Sequence, residues 1–174
     1  MKREDSIDNL LEPFQIALKL EREGKRLFQE AAENTASKLA RQTFEFLSKE
    51  EDKHIEKIEK FYNALKESGG EEYLDTEDST ADEKLESFNV MLEGLREDYK
   101  STESDIEAYR MALEFEGNTE EFYAEKLAES DHPKVKRFYT WLIEEETMHS
   151  RLLKSCLRFV EDPADWFRRR KSAT

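Results

Sequence analysis

The chain has 174 residues, a length that suits a single domain, and its 5 glycines and 3 prolines leave room for long helices. Although 40% of the residues are charged, 37% are hydrophobic and 11% are aromatic, and their regular spacing argues against disorder. The formal net charge of -14 argues against nucleic acid as a partner, and no apolar run approaches the roughly 18 residues that a membrane span needs.

A helical hairpin is predicted over about residues 7 to 67. The residues before it lack the apolar core of a signal peptide, so we expect a cytoplasmic protein. The inward face of its first helix consists of Leu10, Phe14, Ala17, Leu18, Glu21, Gly24, Phe28 and Ala31. The inward face of its second helix consists of Phe44, Leu47, Glu51, His54, Ile58, Phe61 and Leu65. Asn34, Thr35 and Ala36 are typical of the turn between these helices.

A long crossover of about residues 68 to 103 follows, and it begins with a polar and acidic linker. Two capping boxes, in which Ser or Thr is followed three residues later by Glu, mark helix starts in this part of the chain. They are Thr80 with Glu83 and Ser104 with Glu107. The first predicts a crossover helix over about residues 81 to 98, and the second predicts the start of the next long helix.

A second hairpin is predicted over about residues 104 to 160. The inward face of its second helix consists of Tyr139, Leu142, Glu146, His149, Leu153, Cys156 and Val160. The turn of this hairpin is Ser130, Asp131, His132 and Pro133. A short helix of about residues 163 to 171 then carries Trp166 and Phe167, and we expect it to close one end of the molecule or to contact a partner. Its basic end is predicted to be solvated or to bind an acidic neighbour.

The two hairpins repeat each other at a shift of 95 residues. Glu21, Glu51 and His54 recur as Glu116, Glu146 and His149. The shift also matches Phe14 with Tyr109, Ala17 with Ala112, Leu18 with Leu113, Phe28 with Tyr123, Phe44 with Tyr139, Leu47 with Leu142 and Ile58 with Leu153. Core packing alone seldom keeps three polar residues in one register, so these six polar residues are the candidate metal ligands.

The turn positions bring the six side chains together. The midpoint between Glu21 and Glu51 is residue 36, and the midpoint between Glu116 and Glu146 is residue 131. Hairpins folded there place the four carboxylates level, each about 22 Å from its turn at a rise of about 1.5 Å per residue. Each histidine lies one turn beyond its glutamate on the same face. We therefore predict an all-α, ferritin-like four-helix bundle of two duplicated hairpins with a long crossover and a short C-terminal helix.

Charge suggests what such a site would bind. Four carboxylates in a dry seam cost many kcal/mol unless they are protonated, solvated or neutralised. Two divalent cations balance them, and two ferric ions with a bridging oxide carry the same net charge. Because the single cysteine excludes a thiolate cluster, the ligands are oxygen and nitrogen, which suit iron or manganese. The predicted cofactor is two iron ions, with manganese or zinc as alternatives, and a metal-free polar core is the competing interpretation.

The third histidine is an internal control for this pattern. Glu129 precedes His132 by three residues, as a glutamate precedes each of the other two histidines. However, the shift of 95 takes His132 to Ser37, and Pro133 places the pair across a helix start. We interpret His132 as a surface or capping residue.

Other positions near the predicted site have a functional and a structural interpretation. Gly24 and Thr119 would leave room for a small ligand, and close helix packing is the alternative. Tyr123 is predicted beside the site, where it would donate a hydrogen bond or an electron, or only pack in the core. Glu50 and Glu145 also repeat, and we expect them to be solvated or to contact the ligands from outside.

Three segments resemble the rubrerythrin group of ferritin-like di-iron proteins: ALKLEREG at residues 17–24, LSKEEDKH at 47–54 and LIEEETMH at 142–149. The resemblance covers about residues 10 to 160. It implies one ligand each from the first and third bundle helices, a bridging or chelating glutamate from the other two, and a histidine on each metal. In that order the residues are Glu21 and Glu116, Glu51 and Glu146, and His54 and His149. It further implies oxygen or peroxide chemistry and often a homodimer.

The chain departs from the group in two respects. Rubrerythrins add a rubredoxin-like module with four cysteines, which a single cysteine cannot build, so electrons are expected from an external donor. They also carry an additional carboxylate three residues after the ligand of the third bundle helix, where this chain has Thr119 with Glu120 beside it. The site therefore resembles the six-ligand set of simpler family members.

Three classes of function remain open at this point. The leading hypothesis is a di-iron oxidoreductase that reduces peroxide or dioxygen with external electrons. The second is an iron-binding protein that oxidises ferrous iron for storage or detoxification. The third is a helical bundle whose metal is structural or whose role is to bind partners.

Overall fold

The computed structural model describes residues 7–69, 80–95 and 100–173, and every regular element in these ranges is an α-helix. The helices are α1 (Ile7–Glu33), α2 (Lys38–Ser68), α3 (Ala81–Gly94), α4 (Glu103–Glu129), α5 (Pro133–Glu161) and α6 (Pro163–Ser172). Within these ranges, no helix combines the length and the hydropathy that crossing a bilayer requires. The predicted all-α, ferritin-like bundle is confirmed.

In both hairpins, the helix that follows the turn has a side-chain cap at its start. Ser37 accepts a hydrogen bond from the backbone N–H of Ala40 at the start of α2, and Gly69 ends that helix in the left-handed conformation with φ of 64°. At the start of α5, the Nδ1 atom of His132 accepts from the backbone N–H of Val135. The prediction that His132 caps a helix is therefore confirmed.

One of the two predicted capping boxes is wrong. Thr80 and Glu83 exchange the expected hydrogen bonds at the start of α3. The second box is formed by Thr102 and Asp105, not by Ser104 and Glu107. Both pairs have suitable spacing, but Asp105 is buried and accepts a hydrogen bond from the hydroxyl of Thr35 in the α1–α2 turn. This contact between distant segments selects the earlier pair.

The crossover helix is shorter than expected. It ends at Gly94 with a C-cap at Leu95, whereas the sequence suggested a helix to about residue 98. Residues 96–99 and the linker residues 70–79 lie outside the described ranges. The buried side chains of α3 are Phe88 and Leu92, and the helix packs on α5.

The two hairpins contact each other through a pair of equivalent aromatic stacks. Phe14 stacks on Tyr139 with ring centroids 5.0 Å apart, and Phe44 stacks on Tyr109 at 5.3 Å. Exchanging residues at the 95-residue shift converts the first pair into the second. The hairpins α1–α2 and α4–α5 are thus related by an approximate twofold.

The apolar core forms two clusters. One contains Phe28, Phe44, Leu47, Phe88, Leu92, Tyr109, Met148, Leu152, Leu153, Cys156, Phe159 and Trp166, among others. The other contains Leu11, Phe14, Ala17, Ile58, Phe61, Leu65, Tyr123, Val135, Phe138, Tyr139 and Leu142. On α1 the buried face includes Leu11 and Ala32, while the predicted Leu10, Leu18 and Ala31 are only partly buried. The candidate ligands occupy positions between these clusters on all four bundle helices.

The short C-terminal helix closes one end of the bundle. Trp166 packs edge-on against Phe159, with centroids 5.3 Å apart, and its Nε1 donates to Ser155 at 2.9 Å. From the basic end of α6, the guanidinium of Arg170 binds Glu86 on α3 at 2.8 Å. The tail therefore contacts an acidic neighbour within the same chain.

Candidate metal centre

The six candidate ligands are brought together at the centre of the bundle by four helices. They are Glu21 on α1, Glu51 and His54 on α2, Glu116 on α4, and Glu146 and His149 on α5. All six are at most 1% exposed. Hydrophobic periodicity explains this burial, because each residue occupies a position where the helix would otherwise carry a core side chain.

The first group of possible metal ligands comprises Glu21, Glu51, His54 and Glu146, each with one ligand atom within 4.8 Å of the others. The Nδ1 atom of His54 lies 3.0 Å from Oε2 of Glu21 and 3.2 Å from Oε1 of Glu146. The same nitrogen is 3.9 Å from Oε2 of Glu51. One imidazole nitrogen therefore faces three carboxylates.

The second group comprises Glu51, Glu116, Glu146 and His149, again within 4.8 Å of one another. The Nδ1 atom of His149 lies 3.1 Å from Oε1 of Glu116 and 3.2 Å from Oε1 of Glu51. It is 3.4 Å from Oε2 of Glu146. Glu51 and Glu146 belong to both groups, which places them between two possible metal positions.

Several ligand atoms at this centre lack a hydrogen bond. A single imidazole N–H can donate to only one of the three carboxylates that surround it. Oε1 of Glu51, Oε2 of Glu116 and both oxygens of Glu146 are buried without a hydrogen-bond partner among the described residues. Buried unpaired carboxylate oxygens are costly. Two cations at the two overlapping groups would satisfy them, so the donor set fits a pair of metal ions.

The electrostatics of the metal-free site favour bound protons. Burial raises the pKa of Glu51 and Glu116 well above the usual range, and neighbouring carboxylates raise it further. Burial alone would lower the pKa of His54 and His149, but the surrounding glutamates outweigh it and the pKa of both is raised. Glu146 differs, because burial, which would raise its pKa, is outweighed by the adjacent Glu116 carboxyl and both imidazoles, and its pKa is held well below normal. Metal binding would displace these protons.

Comparison with known proteins agrees with this geometry. The chain matches the sequence model of the Rubrerythrin family over residues 12–157, a segment that contains both groups of candidate ligands. The chain belongs to the rubrerythrin family. No curated protein and no solved structure matches it significantly. The family therefore agrees with a di-iron centre, while the identity and number of the ions stay predictions.

Tyr123 lies beside the site, as its position in the repeat predicted. Its buried hydroxyl donates a hydrogen bond to Oε1 of Glu21. Burial raises the pKa of Tyr123 well above its usual range, and the Glu21 carboxylate raises it further, so the phenol stays protonated. Phe28, the equivalent in the first half, offers no hydroxyl to Glu116. A catalytic role of Tyr123 stays a prediction.

Gly24 and Thr119 have structural explanations. A Cβ atom at Gly24 would lie 2.9 Å from Cε1 of Phe115 and 3.4 Å from Oε2 of Glu51, so the glycine permits close helix packing beside the site. The hydroxyl of Thr119 donates to the backbone oxygen of Phe115 at 3.1 Å, within its own helix. Neither residue directs a polar side-chain atom at the candidate ligands.

Glu50 and Glu145 are not solvated, contrary to one of the two expectations for them. They are 2% and 4% exposed, and both bind Lys84 of the crossover helix. Oε2 of Glu145 also lies 3.5 Å from Nε2 of His54, on the side of the ring that faces away from the carboxylates. Lys84 was missed by sequence reasoning, because nothing in the repeat relates a residue of the unrepeated crossover to the site.

Proposed function

We propose that this rubrerythrin-family protein is a di-iron carboxylate oxidoreductase that reduces peroxide or dioxygen with electrons from an external donor. The observation that carries the proposal is the pair of overlapping ligand groups, with shared buried carboxylates whose oxygens lack hydrogen bonds. A polar core without metal would leave these oxygens unsatisfied, which is why we favour metal binding over the structural alternative.

The ligand roles follow from the geometry of the two groups. Glu21 and His54 would hold one ion and Glu116 and His149 the other, while Glu51 and Glu146 would contact both. Four carboxylates balance two divalent ions. When bound, iron supplies the one-electron redox change and the Lewis acidity that oxygen or peroxide reduction requires.

The protein's own residues would then control water and protons. The apolar clusters on either side of the ligands exclude bulk water, which strengthens electrostatic interactions within the site. The hydroxyl of Tyr123 donates a hydrogen bond to Glu21 and would hold that carboxylate in a fixed orientation. It is the candidate hydrogen-bond or proton donor of the site.

An external electron donor, a homodimer and a location in the cell are proposed as well. The one cysteine cannot form a four-thiolate iron centre on this chain, so another protein or a small reductant would supply electrons. The resemblance to rubrerythrins supports a homodimer, and the cytoplasm is the proposed location. None of these alters the ligand assignment.

Metal analysis and peroxide turnover test the proposal together. Protein purified anaerobically and loaded with ferrous iron should contain about two iron ions per chain and should consume peroxide when a reduced electron carrier is present. His132→Ala is the matched control, because it removes the third histidine that follows a glutamate by three residues, and it should change neither result. Protein that binds no iron, with a melting temperature unchanged by added iron, would contradict the metal centre.

The same experiment separates the second function class. If the protein oxidises ferrous iron with dioxygen, retains many ferric ions per chain and does not turn over peroxide, it is an iron-storage or detoxification protein. Size-exclusion mass adds to this distinction, because a storage shell is far larger than a dimer. Two tightly held ions with neither activity would indicate a structural metal.

A further inference from the structure

One lysine connects the crossover helix to both copies of the repeat. Nζ of Lys84 lies 2.8 Å from Oε2 of Glu50 and 2.6 Å from Oε2 of Glu145, and its side chain is only 10% exposed. Glu50 and Glu145 are separated by the shift of 95 residues, and each directly precedes a shared candidate ligand. A single ammonium from an unrepeated helix therefore binds the same position in both halves.

The two glutamates nevertheless have different surroundings. Nζ of Lys53 lies 2.5 Å from Oε1 of Glu50, so Glu50 is paired with two lysines. The residue equivalent to Lys53 in the second half is Met148, which offers no charge to Glu145. Glu145 instead faces an imidazole, with its Oε2 atom 3.5 Å from Nε2 of His54.

The outer nitrogens of the two histidines differ as a result. Both outer nitrogens are buried, and neither makes a hydrogen bond among the described residues. They differ because Nε2 of His54 lies 3.5 Å from Oε2 of Glu145, whereas no carboxylate of the described residues lies at ion-pair distance from Nε2 of His149. The inner nitrogens are alike, since Nδ1 of each ring faces three carboxylates. The difference between the halves lies outside the ligand ring.

A carboxylate behind a ligating imidazole has a known physical effect. It fixes the proton on the outer nitrogen, leaves the inner nitrogen free to bind a metal, and makes that nitrogen more basic. Loss of such a partner typically lowers metal affinity by about 10–100-fold. Among the residues that the structure describes, such a carboxylate lies behind the histidine of only one of the two possible metal positions.

We propose that Glu145, held in place by Lys84, is a positioning residue for His54, and that the two metal positions are unequal, with the Glu21–His54 position filled first. The inference rests on the proposed metal centre and adds an order of occupation to it. Lys84 takes part because it neutralises a buried carboxylate that would otherwise lie unpaired next to the negatively charged ligands.

Calorimetric titration of metal-free protein with Co²⁺ tests the order of binding. Wild-type protein should bind two ions in separate steps. Glu145→Gln should weaken the first step by about tenfold or more, whereas Glu50→Gln, the change at the equivalent position, should leave the first step unchanged. Lys84→Met should weaken the first step, and Lys53→Met should not.

A measurement on wild-type protein without metal does not depend on any variant being folded. The chain has 3 histidines, so a ¹⁵N-histidine NMR spectrum contains few signals. The outer nitrogen of His54 should give the chemical shift of an N–H that points at a carboxylate, and that of His149 should not. Glu145→Gln should shift the His54 signal and leave the His149 signal in place.

The outcomes separate the inference from the proposed function. If wild-type protein binds fewer than two Co²⁺ ions, the metal centre itself is wrong and the inference is overturned with it. If it binds two ions with equal affinity, if Glu145→Gln and Glu50→Gln weaken the first step alike, or if both histidine rings give equivalent signals, the centre stands and the inference is overturned.

Discussion

The two hairpins of this protein are alike at the candidate ligands and different one layer further out. The shortest histidine–glutamate contacts are 3.0 Å in the first half and 3.1 Å in the second. The shortest contact that each Nδ1 atom makes with a glutamate of the other half is 3.2 Å. The differing positions near the ligands include Gly24 and Thr119, Phe28 and Tyr123, and Lys53 and Met148. The inner geometry is repeated, while its surroundings are specific to each half.

The crossover helix explains part of this difference. This helix occurs once and packs on one face of a bundle whose halves are related by an approximate twofold. It therefore makes different contacts with the two halves. Its Phe88 ring packs on Phe46, with centroids 5.7 Å apart, whereas the residue equivalent to Phe46, Trp141, contacts Lys57 and His54 instead. An unrepeated element can therefore make two copied metal positions unequal without changing a ligand.

The largest expected effect is on iron content, and it should differ between glutamates that belong to both ligand groups and glutamates that belong to one. Glu146→Ala and Glu51→Ala each remove a carboxylate that belongs to both groups, so both should reduce the iron content from about two ions per chain to well below one. Glu21→Ala and Glu116→Ala each remove a carboxylate from one group and should leave about one ion. Metal analysis by mass spectrometry measures this, and equal losses in all four variants would refute the distinction.

The free energy of unfolding of the metal-free protein should depend on pH, and both halves should contribute to this dependence. The pKa of His54 and His149 is raised, so the folded state binds protons that the unfolded state releases near pH 6.5, and the free energy of unfolding should fall as the pH rises above that value. Each such proton accounts for at most about 1.4 kcal/mol per pH unit.

Denaturant unfolding at several pH values, with chelator present, measures this slope. Because the pKa of Glu51 and Glu116 is also raised, these two groups should likewise lower the free energy of unfolding as the pH rises above about 4.5. His54→Gln and His149→Gln should each make the slope less steep by similar amounts. A stability that rises between pH 6.5 and 8 would show that the metal-free site does not hold these protons.

Replacing the buried tyrosine beside the site tests an asymmetric position directly. Tyr123→Phe makes the second half resemble the first at Phe28 and removes the hydrogen bond to Glu21. Because a hydrogen bond to a charged group contributes about 1.5–3 kcal/mol, the metal-free protein should lose stability in that range. Tyr62→Phe removes a tyrosine hydroxyl that binds Gln15 at the surface and should change stability by less than about 0.5 kcal/mol. Equal effects of the two variants in denaturant melts would contradict this role.

The smallest expected effect concerns the glycines of the two halves. Gly24→Ala gains about 1 kcal/mol of helix propensity but pushes a methyl group against Phe115, an overpacking that costs about 1–3 kcal/mol, so the net change should be a modest loss of stability. Gly117→Ala in α4 is the matched control, because nothing lies within 4 Å of its added Cβ atom, and it should stabilise the protein by about 1 kcal/mol. Thermal melts of both variants check the opposite signs, and a stabilising Gly24→Ala would mean that the ring of Phe115 moves aside freely.

The helices, the repeat and the residues that meet at the centre could all be predicted from the amino-acid sequence. Apolar spacing is a local property of each helix, and a hairpin folded at its midpoint brings residues such as Glu21 and Glu51 level whatever the rest of the chain does. The 95-residue repeat also distinguished His132, which caps α5, from the two candidate ligands His54 and His149. Burial of the six residues therefore followed from periodicity alone.

The surroundings of that centre depend on contacts that form only when the chain is folded. The position of α3 depends on where a long, non-periodic linker returns to the bundle, so neither the burial of Lys84 nor its ion pairs with Glu50 and Glu145 could be read from spacing. The capping box at Thr102 and Asp105 was likewise selected by the distant Thr35 over an equally suitable pair. Contacts between segments far apart in sequence have no periodic signature, and these contacts make the two halves of this protein unequal.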